Sequence, residues 1–215
     1  MAKIELIHGD CMEGMKRYPD KYFELAIVDP PYGTEGDIER TGGPWSTKYQ
    51  RDKTIKNWDF IPDRLYFDEI FRVSRNQIIW GGNYFTEYLK NNRCFVIWEK
   101  ETISETFSMS MCEYAWSSFN ENSKLFKYRP QDSGRIHPTQ KPVKLYEWLL
   151  KNYAKSGDKI LDTHLGSGSI AIACYNLDFS IVGFEIDIDY YNGAVNRLEE
   201  HKKQQRLFDT NRRDL

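Results

Sequence analysis

Short apolar runs alternate with stretches of helical period along almost the whole chain. Residues 3–8 read as a strand that ends in a polar turn at Gly9 and Asp10, and residues 11–17 as a short helix. Leu25, Ala26, Ile27 and Val28 form the kind of run shown by a strand buried on both faces. The period then vanishes from residue 33 to 61, and a structureless stretch of that length inside a compact domain is usually functional or disordered. It returns with Leu65, Ile70, Phe71 and Val73, which predict a helix face, followed by the strand "NQIIWGG", a short helix over residues 84–90 and the strand "RCFVIWEK". Residues 114–119 and 124–128 predict a hairpin that turns at Glu121 and Asn122. Leu145, Trp148, Leu149 and Tyr153 lie at helical spacing in a helix from residue 143 to about 154. A strand in "SGDKILD", a helix over 169–177, a strand over 180–184 and a long helix from 187 to about 204 complete the pattern, and the charged tail 206–215 is expected to fray. Strands that alternate with helices predict one open α/β domain, with a mostly parallel sheet, helices on both faces and an antiparallel hairpin at an edge.

Composition narrows the class without naming a chemistry. At 215 residues the chain is long enough for one domain with a full core and an insertion. The net charge of -2 means that any surface suited to nucleic acid must be local. Cys11, Cys94, Cys112 and Cys174 are far apart and show no CxxC pair, so neither a zinc site nor a disulfide framework is suggested. No stretch has the length and apolarity of a membrane span, and "MAKIELIHGD" lacks the apolar stretch of a signal peptide. A reducing cytoplasm is the expected setting.

Two places carry chemistry. The first is "AIVDPPYGTE", where the apolar run stops at Asp29-Pro30-Pro31-Tyr32. Pro30 cannot donate to a sheet ladder, so the strand ends near Asp29, at its carboxyl end, where open α/β sheets bind ligands. Two prolines stiffen the corner and hold one carboxylate, one carbonyl and one aromatic ring in fixed relation. The second is "KILDTHLGSGSIA", a strand, Asp162, a glycine loop and a helix. Gly166 and Gly168 allow close backbone approach, and Ala171 fits the packing position of a G-x-G-x-x-G/A pattern. Glu185, at the end of the next strand, is placed to accept hydrogen bonds from both hydroxyls of a ribose. This combination points to an adenosine-type cofactor. Both NAD and S-adenosylmethionine (SAM) answer that description, and Asp162 with the Thr139-Gln140-Lys141-Pro142 stretch favours the zwitterionic one.

Taken together, Asp29-Pro30-Pro31-Tyr32, "DTHLGSGS" and "VGFEID" resemble the SAM-dependent amino-methyltransferases of DNA, above all the permuted branch in which DPPY precedes the cofactor loop. "GDCMEGMKRYPDKYFELAIVDPPYG" and "HPTQKPVKLYEWLL" extend the likeness over nearly the whole chain. The resemblance implies a seven-stranded sheet, with SAM over one half and a flipped base over the other. It implies a SAM pocket lined by Asp162, Gly166, Gly168 and Glu185, with Thr139 and Lys141 at the methionine end and Asp10 near the adenine. Cys11, Asp29, His164, Leu165, Ser167 and Ile186 complete the expected cofactor lining. Thr163 and His164 stand where the family often has Pro-Phe, and His164 reads as a hydrogen-bonded loop residue.

On this reading, Asp29 and the Pro30 carbonyl accept the two amino hydrogens of the base, Pro31 stiffens the corner and Tyr32 stacks on the base face. No metal is called for. Cytosine C5 chemistry needs a cysteine after proline, and Asp10, Arg93, Met111 and Ala173 precede the four cysteines. Asp29 at the first motif position and Tyr32 at the fourth imply adenine N6 by resemblance, with cytosine N4, RNA or a protein glutamine amide as alternatives. An NAD-dependent oxidoreductase and a catalytically silent DNA-binding subunit are the alternatives of other classes. Double-stranded DNA is the expected partner. Arg40, Lys48, Arg51, Lys53 and Lys56 lie in the aperiodic segment among Trp45, Tyr49 and Trp58, and are expected to grip phosphates. Lys124, Lys127, Arg129 and Arg135 form a second basic group. The permuted branch often dimerises, so a homodimer is also expected.

Overall fold

A computed structural model describes residues 2–33, 61–106, 110–130, 135–137 and 139–213, the last eight by backbone alone. The aperiodic segment, with its five expected phosphate contacts, falls almost wholly outside these residues.

The described strands are β1 (Ile4–His8), β2 (Phe23–Val28), β3 (Ser74–Trp80), β4 (Phe95–Glu99), β5 (Cys112–Ser117), β6 (Lys124–Lys127), β7 (Lys159–Asp162) and β8 (Ser180–Glu185). The helices are α1 (Cys11–Met15), α2 (Arg64–Val73), α3 (Val143–Tyr153), α4 (Ser169–Leu177) and α5 (Ile188–Arg213). One sheet takes them in the order β1-β8-β7-β2-β3-β5-β4-β6. Every pairing is parallel except the two made by β5, so β5 alone runs against its neighbours. The mostly parallel α/β sheet matches the expectation, with eight strands where the resemblance implied seven.

Other expectations need correction. The expected edge hairpin does not form: β4 lies between β5 and β6, and β6 pairs with it in parallel. Asn92 explains the detour. Its side-chain amide donates to the Phe119 carbonyl at 3.0 Å and also to that of Ser117, pinning the chain as it leaves β5. The Ser123 hydroxyl then accepts from the Phe95 N–H at 3.1 Å, which starts β6 beside β4. Residues 81–89 form successive turns in place of the expected helix, through bonds such as Tyr84 N–H to the Gly81 carbonyl at 2.8 Å. The buried face of α2 comprises Tyr66, Phe67, Ile70 and Val73, while Leu65, expected there, is exposed. The last helix continues to Arg213, beyond the end expected near residue 204.

The core explains the layers. β2 reads FELAIV and is buried at all but one position, as a central strand covered on both faces must be. On one face Leu25, Ile27, Ile78 and Val96 pack with Leu145, Leu149 and Ile170 from α3 and α4. On the other face Ala26, Val28 and Ile79 pack with Phe67 and Ile70 of α2. α4 is apolar all round because α3, the sheet and α5 enclose it. Among the described residues no helix is long and apolar enough to cross a membrane.

Candidate active site

From β2 the chain goes on to β3 on one side, and from β7 it goes through α4 to β8 on the other. β2 and β7 are hydrogen-bonded neighbours, with Leu25 opposite Ile160 and Ala26 opposite Leu161. The connections leaving their carboxyl ends therefore diverge, and the crevice between them is the ligand position of open α/β sheets. A cavity of about 490 Å³ opens there, within the range of ordinary ligand sites.

The cavity wall brings most of the expected residues together. Asp29, Pro30, Pro31 and Tyr32 come from the corner after β2, and His164, Leu165, Gly166 and Ser167 from the loop after β7. Asp10 and Cys11 follow β1, Glu185 and Ile186 close β8, and Thr139 and Lys141 precede α3. Asp162 and Gly168 are not on the wall. Asp162 is buried at the end of β7, where one carboxylate oxygen accepts the His164 N–H at 3.0 Å. Gly168 caps α4 with φ 72°, and a Cβ there would lie 2.9 Å from the Cβ of Ala194 on α5. Its glycine serves the close approach of two helices.

Local bonds hold each wall. The Leu165 N–H donates to the Phe184 carbonyl at 2.8 Å, and Arg197 of α5 reaches the Ser167 carbonyl at 3.0 Å and the Ser169 hydroxyl at 2.8 Å. Glu185 accepts the N–H groups of Gly166 at 2.7 Å and Asp187 at 3.0 Å, one on each oxygen. A carboxylate has about four lone-pair sites, so both oxygens keep capacity for a ligand. Burial raises Glu185 despite these N–H groups, and it raises Asp162 to about 8. Asp10 caps α1 by accepting the Met12 N–H at 2.7 Å. Burial lifts the Cys11 thiol to about 12, helped by the Asp10 charge, so it stays protonated.

The two histidines on the wall are neutral. His164 is lowered to about 4 by burial and lies 2.9 Å from the Thr163 hydroxyl, which in turn meets the Tyr66 hydroxyl at 2.7 Å. His137 is also lowered to about 4, first by burial and then by the nearby Lys141 and Arg135 charges. Its ring lies against Tyr190 at 4.3 Å, and Nδ1 faces the Thr139 hydroxyl at 3.1 Å.

Asp29 sits in a chain of ions. One oxygen accepts the Tyr32 hydroxyl proton and the other meets the Lys141 ammonium. Lys141 also lies 3.1 Å from Glu113 on β5, and Lys100 holds the other Glu113 oxygen at 2.7 Å. Burial opposes the charge on Glu113, yet Lys141 and Lys100 together hold it down at about 2. Burial likewise opposes the charge on Lys141, but Asp29 and Glu113 raise it above the usual lysine range. Tyr32 stacks on Tyr84, with ring centroids 5.0 Å apart and planes at 17°. Tyr32 lines the cavity and Tyr84 backs it.

Sequence reasoning missed Glu113, Lys100 and His137. Glu113 did carry a signal. It shares a strand face with buried Ala115 and Ser117, and a carboxylate on a core-facing position needs a partner.

The fold and this crevice define an open α/β protein with its ligand site at a topological switch point. The chain belongs to the DNA methylase family whose members modify N6 and N4 amino groups; that family's model matches residues 78–196. It is 40% identical to the type II methyltransferase M.HpaI of Haemophilus parainfluenzae over 63 residues, which span 29% of this chain and 20% of that protein. It is 25% identical to the type II methyltransferase M.HinfI of Haemophilus influenzae over 246 positions, covering 92% of this chain and 68% of that one. The fold is shared with solved structures, among them the two that follow. The M1.HpyAVI–SAM complex has a TM-score of 0.62 at 20% identity, covering 91% of this chain and 98% of that one. The cytosine-N4-specific PvuII DNA methyltransferase has a TM-score of 0.64 at 12% identity, covering 94% and 91%.

Proposed function

We propose that this chain transfers the methyl group of SAM to the exocyclic amino nitrogen of a base flipped out of double-stranded DNA, with adenine N6 as the target. The observation that carries this reading is the meeting of the Asp29-Pro30-Pro31-Tyr32 corner and the Gly166 loop in one cavity. Family membership and the M1.HpyAVI–SAM complex support it. The PvuII likeness keeps cytosine N4 as the second reading, because both targets are amino groups on flat rings.

The residues present fit the cofactor. Glu185 faces the cavity with spare lone pairs for a ribose diol, and the Gly166 loop lets the chain approach closely. Asp162 lies buried behind the loop, an acid that a nearby cation would ionise. When bound, SAM supplies an electrophilic methyl group on a sulfonium. An exocyclic amino nitrogen is a weak nucleophile because its lone pair is delocalised into the ring. The Asp29 carboxylate and the Pro30 carbonyl accept its two hydrogens and favour the tetrahedral geometry that frees the lone pair. The two prolines keep that carbonyl aimed. Tyr32, backed by Tyr84, stacks on the base, worth about 1–3 kcal/mol. The duplex hides the amino group, so the base must leave the stack. The expected homodimer is part of the same proposal.

The test is labelled methyl transfer to DNA, RNA and protein, followed by analysis of the modified bases. N6-methyladenine is expected in DNA, and N4-methylcytosine would establish the second reading. Asp29→Ala should abolish transfer and leave SAM affinity within about threefold, since this change removes a group that acts in the transition state. Full activity in that variant would reject the assignment.

A further inference from the structure

The ion chain behind Asp29 has a member that the reaction as written does not use. Lys141 is 3% exposed, and its ammonium is shared between Asp29 and Glu113. Trp80 lies beneath it, with the ring centroid 5.1 Å from Nζ. A buried ammonium must keep a counter-charge, and stripping it of its sole partner is costly. If Asp29 were that sole partner, an incoming amino group would compete directly with Lys141 for the carboxylate. Glu113 removes the conflict. It meets Lys141 from β5, a strand far from the corner in sequence, and Lys100, 7% exposed, anchors its other oxygen. Two carboxylates and two ammoniums then balance, and Lys141 engages only one oxygen of Asp29, the other accepting the Tyr32 hydroxyl and keeping a second lone pair.

We propose that Glu113, anchored by Lys100, is a positioning residue that acts through Lys141 to keep Asp29 oriented and available to the amino group of the base. This rests on the methyl-transfer reading above. The groups that face Lys141 are Asp29 after β2, Glu113 on β5 and Trp80 on β3, while His137 on the cavity wall and Asp162 buried at the end of β7 feel its charge. Tyr32 and Tyr146 feel the Glu113 charge. Removing the Glu113 charge takes from Lys141 one of the two acids that raise it, so its ammonium gives up its proton at lower pH.

Glu113→Gln should lower kcat by about 10–100-fold while SAM affinity and KM for DNA stay within about threefold. The alkaline limb of its kcat–pH profile should move to lower pH, which a loss of packing alone would not cause. Glu113→Asp keeps the charge and should restore the limb with part of the rate. Lys100→Met should lower kcat in the same direction by about 3–10-fold, and it stands in if Glu113→Gln fails to fold. Wild-type kcat and an unmoved limb in Glu113→Gln, or, where that variant fails to fold, unchanged kcat in Lys100→Met, would overturn the proposal. The 15N resonance of Lys141 Nζ, followed with pH in wild type and Glu113→Gln, reads the link without turnover. If the two titrate alike the inference fails. If the wild type methylates nothing, the methyl-transfer reading fails by itself, and the titration still shows whether Glu113 holds Lys141.

Discussion

Asp162 shows how the burial of one acid bears on stability. Burial drives its value from 3.8 to about 8; Asp29 and Glu185 push the same way, and the His164 N–H pulls back. An acid whose folded value exceeds its unfolded one takes up a proton on folding. Its contribution to stability therefore falls as pH rises through that window. Asp162→Asn removes the titration, and its melting temperature at neutral pH should rise by about 2–4 °C, the size of one kcal/mol in a chain this long. On the proposed reading, SAM carries positive charge near Asp162 and favours the ionised acid. Wild-type affinity, measured by calorimetry, should therefore tighten from about pH 6 to 7.5, and the Asn variant should bind about tenfold more weakly with a flat profile. A flat wild-type profile would remove Asp162 from the site.

At the scale of elements, the sequence was most legible where chemistry and local geometry coincide. Two prolines end β2 just before Asp29, and a glycine loop opens α4, so both corners could be placed without a structure. The ion chain could not, because residues 29, 100, 113 and 141 come from four separate segments and meet only through the sheet order. The hairpin failed for a related reason. Local pattern could mark β5 and β6 as strands but could not show β4 entering between them. Gly168 changes meaning in the same way. The motif suggested an approach to cofactor, and the structure puts α5 where a side chain would go. Gly168→Ala should cost about 1–3 kcal/mol through positive φ and overpacking. Urea denaturation checks this, and no loss of stability would show that α4 and α5 can part freely.

On the proposed function, the whole molecule has to find DNA with a net charge of -2. Residues 40–56, outside those described, contain the five basic residues proposed to meet phosphates. Deleting them should weaken DNA binding and flatten its salt dependence by about 0.9 in log–log slope for each phosphate no longer neutralised. Binding titrations at several salt concentrations check this, and an unchanged slope would assign those residues to solvent.

The sheet has one more consequence. Asp29 and the Gly166 loop face each other because β2 and β7 exchange backbone hydrogen bonds, at Leu25 with Ile160 and Ala26 with Leu161. The stretch of chain that joins them adds β3, Glu113 and Lys141 to the frame around Asp29, but that register does not depend on its being unbroken. A protease nick in a surface connection of that stretch would leave both halves clamped together, and the severed protein would keep its pocket.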